Sequence, residues 1–532
     1  MTDSNRDTSA ALVFHAATKY VSLRDPNGQP KYGMGTPPNL EPVIWEEDWS
    51  LDPRTYKLYT DLPPIELPTT FAPSQLRALE AISRTGAEHD QNTSSPDRTA
   101  LARLARLSNG LIKHQRVTRT RGVVQFRAAA ATGARYHLEL YVVCAQLPDL
   151  DAGVYHYAAH DHSLRQLRTG DVRGVLVEAS GREPSLAEAP VIVVLTSTFW
   201  RNAFRYKARA YRHTFWDAGT LLANALAVAA SLELPTNLVL GFADRAVNHL
   251  LGVDGEREAS VVLCAVGRGA RAPAAVTDLP DIAHPTEPLS PAEVTFADIP
   301  RMHAASSLAS GEAAAAWRGN PVRRAMAPPN QSPIPLTPRS DEWIPTAPIE
   351  DVILARRSTR FYDSQQPLSF ELFSTILDRS VRGVATDCLA DGALPLHDGY
   401  LIVNAVEGLA PGTYLHRAHE GSIELLRAGD FRTQAGHLAF DQEYAGDAHV
   451  DSYYLADLDP VLEHYGNRGY RLAQLQAALY AGRVHLASHA LGLGAVGLTS
   501  FDDEVIDFFS PHAAGASYLF VTAFGKRRRR PD

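Results

Sequence analysis

The chain alternates short apolar runs rich in β-branched residues with longer apolar segments that contain no proline. The runs at 138–144 (LELYVVC) and 191–195 (VIVVL) are bounded by turn residues, so we predict a buried strand at each. The segment from Asp217 to Leu232 starts with a good helix-capping residue and is mostly apolar, which predicts a buried helix, and 475–491 repeats the pattern. Strands scattered among helices, without strict strand–helix alternation, favour an α+β fold.

This order of strands and helices occurs twice in the chain. The sequence indicates this repeat because its two halves align at a constant offset of 259 residues. Gly153 in AGVYHY aligns with Gly412 in PGTYLH in this way. The same offset aligns Tyr206, Arg209, Tyr211 and Arg212 with Tyr465, Arg468, Tyr470 and Arg471, and Phe242 and Asp244 with Phe501 and Asp503. An offset that stays constant from residue 133 to residue 244 indicates two copies of one fold.

The two copies divide the chain into four parts. These are a lead-in at 1–70, a first copy at 71–271, a connector at 272–345 and a second copy at 346–532. We expect the lead-in, which is rich in aromatic residues, to wrap on the first copy. The connector is rich in proline and alanine, so we expect it to be long and only partly ordered.

Composition narrows the classes of function. The formal net charge is −9, with 51 lysines and arginines against 60 aspartates and glutamates, so a broadly basic nucleic-acid surface is not expected. The three cysteines are far apart and predict neither a disulfide framework nor a CxxC metal site, which favours a reducing cytoplasm. The N-terminus lacks the order of a signal peptide, and no apolar stretch reaches the ~18–20 residues of a membrane span, so no membrane partner is expected.

A first candidate site is the arginine-rich segment ARRSTR at the start of the second copy. Arg356 and Arg357 supply planar fork donors and Ser358 a hydroxyl, a combination that suits a phosphate monoester. A solvated helix face would use arginines equally well. The first copy keeps only Arg84 at this place. The basic tail that begins at Lys526 follows the last strand, so its first residues could reach the same phosphate; a targeting or nucleic-acid patch is the alternative.

Two further motifs favour structural roles. The run GLGAVG at 492–497 satisfies GxGxxG, but a helix precedes it and a strand follows, the reverse of a dinucleotide-binding motif. We expect its glycines to end the helix and to let a strand pass close to a flat ligand. His485 and His489 are spaced like a metal pair, yet the first copy has Leu226 and Ala230 there, so no metal site is predicted.

The pattern Tyr-x-x-Arg-x-Tyr-Arg stands ahead of the long helix in both copies. It begins at Tyr206 in the first copy and at Tyr465 in the second. Packing explains the tyrosines adequately. The arginines are harder to explain by packing, because a buried guanidinium needs partners.

Taken together, these motifs resemble the nitroreductase superfamily, and within it the SagB-type dehydrogenase branch that includes azoline oxidases of peptide natural-product pathways. The matching motifs are RRSTR at 356–360, RAAAATGA at 127–134, GVYHY at 153–157, the Tyr-x-x-Arg-x-Tyr-Arg pattern, DAG at 217–219 and FDD at 501–503. They cover most of both copies.

The resemblance implies flavin mononucleotide (FMN) at the interface of an intramolecular pseudo-dimer of two α+β copies. The residues that it implies for one site are Arg356, Arg357, Ser358, Arg360, Thr499, Ser500, Lys526 and Arg527 of the second copy with Thr132 and Gly133 of the first. The opposite site would combine Arg84, Leu240, Gly241 and Arg268 with 390–392. The opposite site has lost one of the two arginines, so we expect FMN to occupy only one of the two sites.

The sequence departs from the family pattern where catalysis would take place. The family turn Pro-Ser reads Ala131-Thr132 here, which keeps the hydroxyl. The Lys-Tyr pair associated with azoline oxidases reads Arg205-Tyr206 in the first copy and His464-Tyr465 in the second. Arginine cannot act as a base, so Tyr206, Tyr465 or His464 remain as candidates. The charge around Tyr206 predicts the lower phenol pKa there.

The resemblance implies an FMN-dependent dehydrogenase that oxidises a peptide-borne or other heterocycle, with oxygen as electron acceptor. Two alternatives stay open: a general NAD(P)H-dependent nitro or quinone reductase, and a flavin-free protein that positions a substrate. The expected partners are a small-molecule or peptide substrate, with room for other biosynthetic enzymes. The chain would be a pseudo-dimeric monomer or a dimer of such chains.

Overall fold

Two seven-stranded antiparallel sheets, one in each copy, organise the fold. The computed structural model describes residues 4–24, 30–36, 39–42, 47–84, 94–117, 122–319, 326–390 and 393–528. Within these residues, no helix combines the length and the apolar character that crossing a membrane requires.

The helices are numbered in chain order. They are α1 (Ser9–Ala17), α2 (Ala78–Ser83), α3 (Arg98–Asn109), α4 (Arg173–Ala179), α5 (Pro184–Glu188), α6 (Phe199–Tyr206), α7 (Ala210–Ser231), α8 (Asp244–Leu251), α9 (Asp298–Ala305), α10 (Gly311–Arg318), α11 (Ile349–Ala355), α12 (Phe370–Ser380), α13 (Arg432–Leu438), α14 (Glu443–Asp447), α15 (Leu458–Tyr465), α16 (Arg468–Ala490) and α17 (Asp502–Phe509).

The strands are numbered in the same way. They are β1 (Tyr20–Arg24), β2 (Pro30–Thr36), β3 (Asn39–Pro42), β4 (Ile65–Glu66), β5 (Leu111–Val117), β6 (Gly122–Arg127), β7 (Leu138–Cys144), β8 (Gly153–Ala158), β9 (Ser163–Thr169), β10 (Val191–Thr198), β11 (Thr236–Val239), β12 (Glu258–Val266), β13 (Ile334–Pro335), β14 (Asp398–Val403), β15 (Gly412–Arg417), β16 (Ser422–Ala428), β17 (Val450–Ala456), β18 (Gly494–Leu498) and β19 (Ser517–Gly525).

The two large sheets correspond strand for strand. The first runs β11-β12-β10-β7-β8-β9-β4 and the second runs β18-β19-β17-β14-β15-β16-β13. The predicted strand at 138–144 is β7, and the one at 191–195 lies within β10. Both are buried along their whole length, as their continuous apolar sequence requires. The predicted α+β fold in two copies is confirmed.

Both predicted long helices begin earlier than their sequence suggested. Helix α7 starts at Ala210 rather than at Asp217, and α16 starts at Arg468 rather than at residue 475. Asp217 looked like a capping residue, but its carboxylate accepts hydrogen bonds from Thr132 instead. The repeated Tyr-x-x-Arg-x-Tyr-Arg pattern therefore begins at the last residue of the preceding helix, Tyr206 of α6 or Tyr465 of α15, and ends in the first turn of the long helix.

The long helices α7 and α16 cross where small residues let their backbones approach. A Cβ atom on Gly219 would lie 2.5 Å from the carbonyl oxygen of Leu475, and one on Gly482 would lie 2.7 Å from the Cβ of Ala223. Trp216 also donates its indole N–H to Gln474 across the pair, at 2.6 Å. The two copies are thus joined through their most buried helices.

A carboxylate from one copy pairs with two arginines of the other copy, and this occurs twice. Asp502, the first residue of α17, binds Arg209 at 2.9 Å and Arg212 at 2.5 Å. All three side chains are buried. These contacts account for the arginines that the sequence left without partners.

The reciprocal pair of contacts uses Asp244, the first residue of α8. Its carboxylate binds Arg468 and Arg471, each at 2.6 Å. Burial alone would raise the pKa of Asp244, but the two guanidiniums outweigh it and hold that pKa well below the usual range. The pKa of Asp502 is lowered against burial by its two arginines in the same way.

These contacts correct the alignment at the end of the repeat. The offset of 259 aligned Asp244 with Asp503, but the residue that takes the same role is Asp502, so the offset is 258 there. Asp503 is largely exposed and pairs with Lys19. Phe501 consequently matches Ala243 rather than Phe242, and the two phenylalanines lie in different clusters instead of facing each other.

The lead-in and the connector contain the same structural element. In the lead-in, Thr18 after α1 accepts through its backbone carbonyl from Arg209 and through its hydroxyl from Arg212. In the connector, Ser306 after α9 accepts in the same two ways from Arg468 and Arg471.

The lead-in therefore does more than wrap the first copy. His15 Nδ1 in α1 lies 3.1 Å from the hydroxyl of Tyr470 in the second copy, and the backbone N–H of Tyr20 donates to Asp502 at 2.9 Å. In the connector, the backbone N–H of Leu308 donates to Asp244 at 3.0 Å. The connector thus contains an ordered helix that seals one Asp–Arg cluster, as α1 seals the other.

We predict that Asp502→Asn lowers the free energy of unfolding by about 3–5 kcal/mol, because it leaves two buried guanidiniums without a carboxylate. Denaturant unfolding measures this loss. Asp503→Asn is the matched control, since Asp503 is 61% exposed and an exposed pair contributes about 0–1 kcal/mol. Equal effects of the two substitutions would contradict the assignment of Asp502 as the shared carboxylate.

Candidate functional site

A cleft of about 800 Å³ opens between the two copies and collects most of the predicted site residues. The predicted residues that line it are Thr132, Gly133, Arg205 and Tyr206 of the first copy and Arg356, Arg357, Ser358, Arg360 and Thr499 of the second. The volume is within the range of small-molecule and cofactor pockets. The cleft is therefore the candidate active site.

The arginine-rich loop after α11 is attached to strand β18. The backbone N–H of Thr359 donates to the carbonyl of Ala495 at 3.0 Å. A side chain at Gly494 would collide with Thr359, since its Cβ would lie 2.2 Å from the threonine hydroxyl. The sequence predicts that the glycine-rich run lets a strand pass close to a flat ligand; at Gly494 the close approach is to this loop. Gly492, at φ +77°, follows the end of α16.

The two histidines of α16 support the same loop. His489 Nε2 accepts from the backbone N–H of Arg357 at 3.2 Å, and His485 Nε2 lies 3.3 Å from the carbonyl of Arg357. Burial lowers the pKa of His489 to about 4, so the ring is uncharged at neutral pH and can accept this bond. The two histidines, four residues apart on one face of the helix, therefore hold the backbone of Arg357 in place.

The loop gives one end of the cleft a concentrated positive charge. Arg356 is buried and donates to the carbonyl of Ala128 in the first copy, at 3.1 and 3.3 Å. Burial lowers its pKa to about 10, so it remains a cation at neutral pH. Arg357, Ser358 and Arg360 are exposed. This end of the cleft fits a phosphate group.

On the opposite wall, the turn at Thr132 is held by Asp217 of α7. The Asp217 carboxylate accepts from the backbone N–H of Thr132 at 2.9 Å and from its hydroxyl at 2.8 Å. The same carboxylate lies 3.0 Å from His137 Nε2, whose Nδ1 lies 2.9 Å from Ser197. The threonine hydroxyl that the sequence offered as a ligand is therefore occupied in fixing this turn.

Gly133 allows Tyr206 to lie against the turn. Gly133 has φ +59°, and a Cβ atom there would lie 2.4 Å from the hydroxyl of Tyr206. Only glycine combines this backbone conformation with such a close approach at low cost. The turn and the tyrosine are thus one unit.

The surroundings of Tyr206 differ from the expectation. Burial raises the pKa of its phenol, although Arg205 opposes this. Arg205 itself pairs with Glu47 at 3.0 Å, and Arg209 is committed to Asp502. Arg205 lowers the pKa of this phenol, as expected, but burial outweighs it, so the net shift is upward and the phenol is protonated at neutral pH.

His213 is a cleft residue that the sequence reasoning missed. Its ring packs against the edge of Tyr206 with centroids 4.7 Å apart, and its Nδ1 lies 2.8 Å from Asn202 Oδ1. Burial lowers its pKa well below the ordinary value, so the ring is neutral. The offset of 259 places Leu472 opposite it, and this difference between the copies could have identified it.

The end of β18 contributes backbone to the cleft at Leu498 and Thr499. The corresponding residues after β11, by strand register, are Leu240 and Gly241. Leu240 and Gly241 belong to the equivalent site on the other side of the interface, which we call the second site. There, both of their backbone N–H groups donate to the carboxylate of Asp387, each at 2.9 Å. Burial raises the pKa of Asp387 to about 6, so it is largely ionised at neutral pH.

Side chains of the second copy and of the connector fill this second site. Trp317 of α10 packs 5.2 Å from the ring of Tyr465 and donates its indole N–H to the Tyr465 carbonyl at 2.8 Å. The Tyr465 hydroxyl donates to the carbonyl of Cys388. Tyr465, unlike Tyr206, is therefore buried under the chain itself.

The remaining predicted residues do not line the open cleft. His464 lies beside Tyr465, and Ser500 is fully buried. The backbone carbonyl of Lys526 accepts from Asp363, and Arg527 donates to the carbonyl of Gly492 at 3.2 Å. Asp391 and Gly392, predicted for the opposite site, lie outside the described residues.

FMN fits the open cleft by its donor set. One end of the cleft carries the buried Arg356 and exposed arginines that can bind a phosphate. The wall at Thr499 corresponds to Leu240 and Gly241 of the second site, whose backbone N–H groups bind the carboxylate of Asp387. Backbone donors of this kind suit the electron-rich edge of a flavin ring.

A family model and several known proteins match the chain. Residues 92–268 match the model of the nitroreductase family. A provisionally named nitroreductase of Methanocaldococcus jannaschii is 29% identical over 165 residues, which cover 31% of this chain and 80% of that protein.

Two proteins named for the processing of trifolitoxin and of microcin B17 also match. The trifolitoxin-processing protein TfxB of Rhizobium leguminosarum bv. trifolii is 31% identical over 133 residues, covering 24% of this chain and 36% of TfxB. The microcin B17-processing protein McbC of Escherichia coli is 24% identical over 136 residues, covering 25% of this chain and 50% of McbC. The chain thus spans about a third and a half of these two proteins.

One crystal structure matches over nearly the whole chain. It is a provisionally named nitroreductase from Anabaena variabilis, with a TM-score of 0.73 and 24% sequence identity. The match covers 98% of this chain and 99% of that one. The two chains share one fold from end to end.

We predict that Gly133→Ala displaces the ring of Tyr206, whereas Gly170→Ala moves no side chain. Gly170 also has positive φ, but a Cβ atom there meets no atom within 4 Å. Both substitutions should lower the free energy of unfolding by about 1 kcal/mol because of the backbone conformation. Denaturant unfolding and crystal structures of the two variants test this. An unmoved Tyr206 in Gly133→Ala would show that the turn does not position it.

Proposed function

We propose that this chain, which contains a nitroreductase-family domain at residues 92–268, is an FMN-dependent dehydrogenase that oxidises a heterocycle carried by a peptide. One observation carries the proposal. The arginine loop of the second copy and the Thr132–Tyr206 wall of the first copy line one open cleft, while the equivalent site is filled by Asp387 and Trp317.

A single FMN would bind in the open cleft. Arg356, Arg357 and Ser358 would hold its phosphate, with Arg360 beside them. The backbone N–H groups near Thr499 would donate to the ring. The chemistry that bound FMN would supply is acceptance of a hydride equivalent from the heterocycle and transfer of the two electrons to oxygen, which would leave as hydrogen peroxide together with the proton that the heterocycle loses.

The side chains of the cleft then orient the substrate. Tyr206 keeps its proton at neutral pH, because burial raises its pKa, so it acts as a hydrogen-bond donor rather than as the base. The neutral ring of His213 packs against Tyr206 and limits its motion. Asp217 and His137 hold the turn beneath it. Removing one preorganised hydrogen-bond donor from an active site typically costs about 10²–10³-fold in rate.

The peptide character of the substrate is supported by the relatives. TfxB and McbC are named for the processing of trifolitoxin and microcin B17, and both match this chain over more than 130 residues. Other enzymes of such a pathway would be its partners.

We predict that Arg357→Ala reduces bound FMN from one per chain to a small fraction, because it removes a cation from the phosphate end of the cleft. Arg84→Ala changes the arginine that the first copy has at the corresponding place, directly after α2; it is the matched control and should leave one FMN per chain. Absorbance of the purified protein, before and after incubation with FMN, measures this. Two FMN per wild-type chain, or equal loss in both variants, would refute the single-site assignment.

We predict that Tyr206→Phe lowers the oxidation of a synthetic thiazoline peptide about 100-fold or more, because it removes a preorganised hydrogen-bond donor from the cleft. Tyr465→Phe should change it little, because Tyr465 is buried in the filled site. Loss of two hydrogens from the peptide, followed by mass spectrometry, measures turnover. FMN content and the melting temperature of Tyr206→Phe should stay at wild-type values; if they fall together with activity, the role of Tyr206 is structural.

A further inference from the structure

The loop after the corresponding helices α3 and α12 has a different form in each copy. In the second copy it spans 381–397 and runs along β11, with the N–H of Leu238 donating to Ala385 and that of Asp387 donating to Leu238, both at 3.0 Å. This loop places Asp387 in the second site. In the first copy it spans 110–137 and forms the hairpin of β5 and β6.

The base of the hairpin is fixed to the first copy. The N–H of Ala128 donates to Gly110 at 2.9 Å, and a Cβ atom on Gly110 would lie 2.6 Å from the Cα of Arg106. Arg127 is buried and donates to Asn109 at 3.1 Å and to the carbonyl of Thr55 at 2.6 Å. The hairpin is therefore a firmly anchored wall.

The two faces of the hairpin have different neighbours. Gln125 receives a hydrogen bond from the Tyr56 hydroxyl at 2.6 Å, on the face turned to the first copy. Lys113, Gln115 and Phe126 line the cleft, as the alternation of a paired strand requires. The ammonium of Lys113 lies 6.0 Å from the centre of the Phe126 ring.

The hairpin is basic in an acidic protein. Its two strands, β5 and β6, contain three lysines and arginines, Lys113, Arg116 and Arg127, and no aspartate or glutamate, whereas the whole chain has a net charge of −9. Among the described residues that line the cleft, the one carboxylate is Asp217, which is engaged by Thr132 and His137. A bound phosphate monoester, at about −1.5 to −2 charge, would be matched by the arginine loop at the far end.

We propose that this hairpin is the recognition wall for the substrate and that it binds an acidic, extended peptide segment. Lys113 pairs with a carboxylate, Gln115 with the peptide backbone, and Phe126 packs against an aliphatic stem. Complementary charge at such a wall favours the correct partner and speeds its association. The proposal rests on the proposed function, since the segment enters the same cleft.

The test uses the full-length protein loaded with FMN and two labelled peptides of equal length, one with glutamates and one with glutamines at the same positions. Fluorescence anisotropy measures affinity at low and high salt. The glutamate peptide should bind about tenfold more tightly, and salt should remove the difference. Lys113→Glu should weaken its binding about tenfold and leave the glutamine peptide unaffected.

Lys31→Glu is the matched control, because Lys31 is exposed on β2 and does not line the cleft. Lys113→Gln, which should give a smaller loss, replaces Lys113→Glu if that variant misfolds. Equal affinity for both peptides, or equal effects of Lys113→Glu and Lys31→Glu, would overturn the proposal. So would tighter, Lys113-dependent binding of single-stranded DNA. FMN content of the same samples separates these outcomes from failure of the proposed function, which would leave the protein without flavin.

Discussion

The reciprocal pairing of one carboxylate with two arginines of the other copy is the interaction on which the rest of the structure depends. Asp502 holds Arg209 and Arg212, and Asp244 holds their counterparts. Buried guanidiniums without a carboxylate would be very costly, so neither copy can satisfy its own arginines alone. The pairing therefore fixes the crossing of α7 and α16, and this crossing places the arginine loop of one copy opposite the Thr132 turn of the other.

The two copies are related by a pseudo-symmetry in their sheets and arginine contacts, but the two sites at their interface differ. The contacts of Thr18 and Ser306 to the arginines are equivalent, as are the two large sheets. The two sites between the copies are not equivalent. In the first copy, the loop after α3 forms the hairpin of β5 and β6 beside the open cleft. In the second copy, the loop after α12 places Asp387 on the backbone N–H groups of Leu240 and Gly241. A fused chain permits this divergence, whereas two identical subunits would have to change both sites together.

Within the open cleft, geometry rather than charge controls Tyr206. Arg205 pairs with Glu47 and Arg209 with Asp502, and burial outweighs the remaining effect of Arg205 on the pKa of the phenol, which keeps its proton. Its place is set instead by the missing side chain of Gly133 and by the edge of His213. The arginines of the repeated pattern hold the two copies together. In the described cleft, the cations that remain for a ligand belong to the arginine loop and the hairpin.

The sequence by itself determined the two-copy α+β architecture, the central strands and the residues of the arginine loop, because apolar patterning, a constant offset and a local motif are properties of the linear chain. It misplaced the starts of the long helices, since Asp217 was assigned to a cap and instead binds Thr132. It could not reveal that Asp502 rather than Asp503 is the partner of Arg212, that Asp387 fills one site, or that burial raises the pKa of Tyr206. The contacts of Asp502 and Asp387 join residues more than 140 positions apart, and Tyr206 lies against a turn 73 positions earlier in the chain. Only the tertiary structure decides which of these distant groups are buried together.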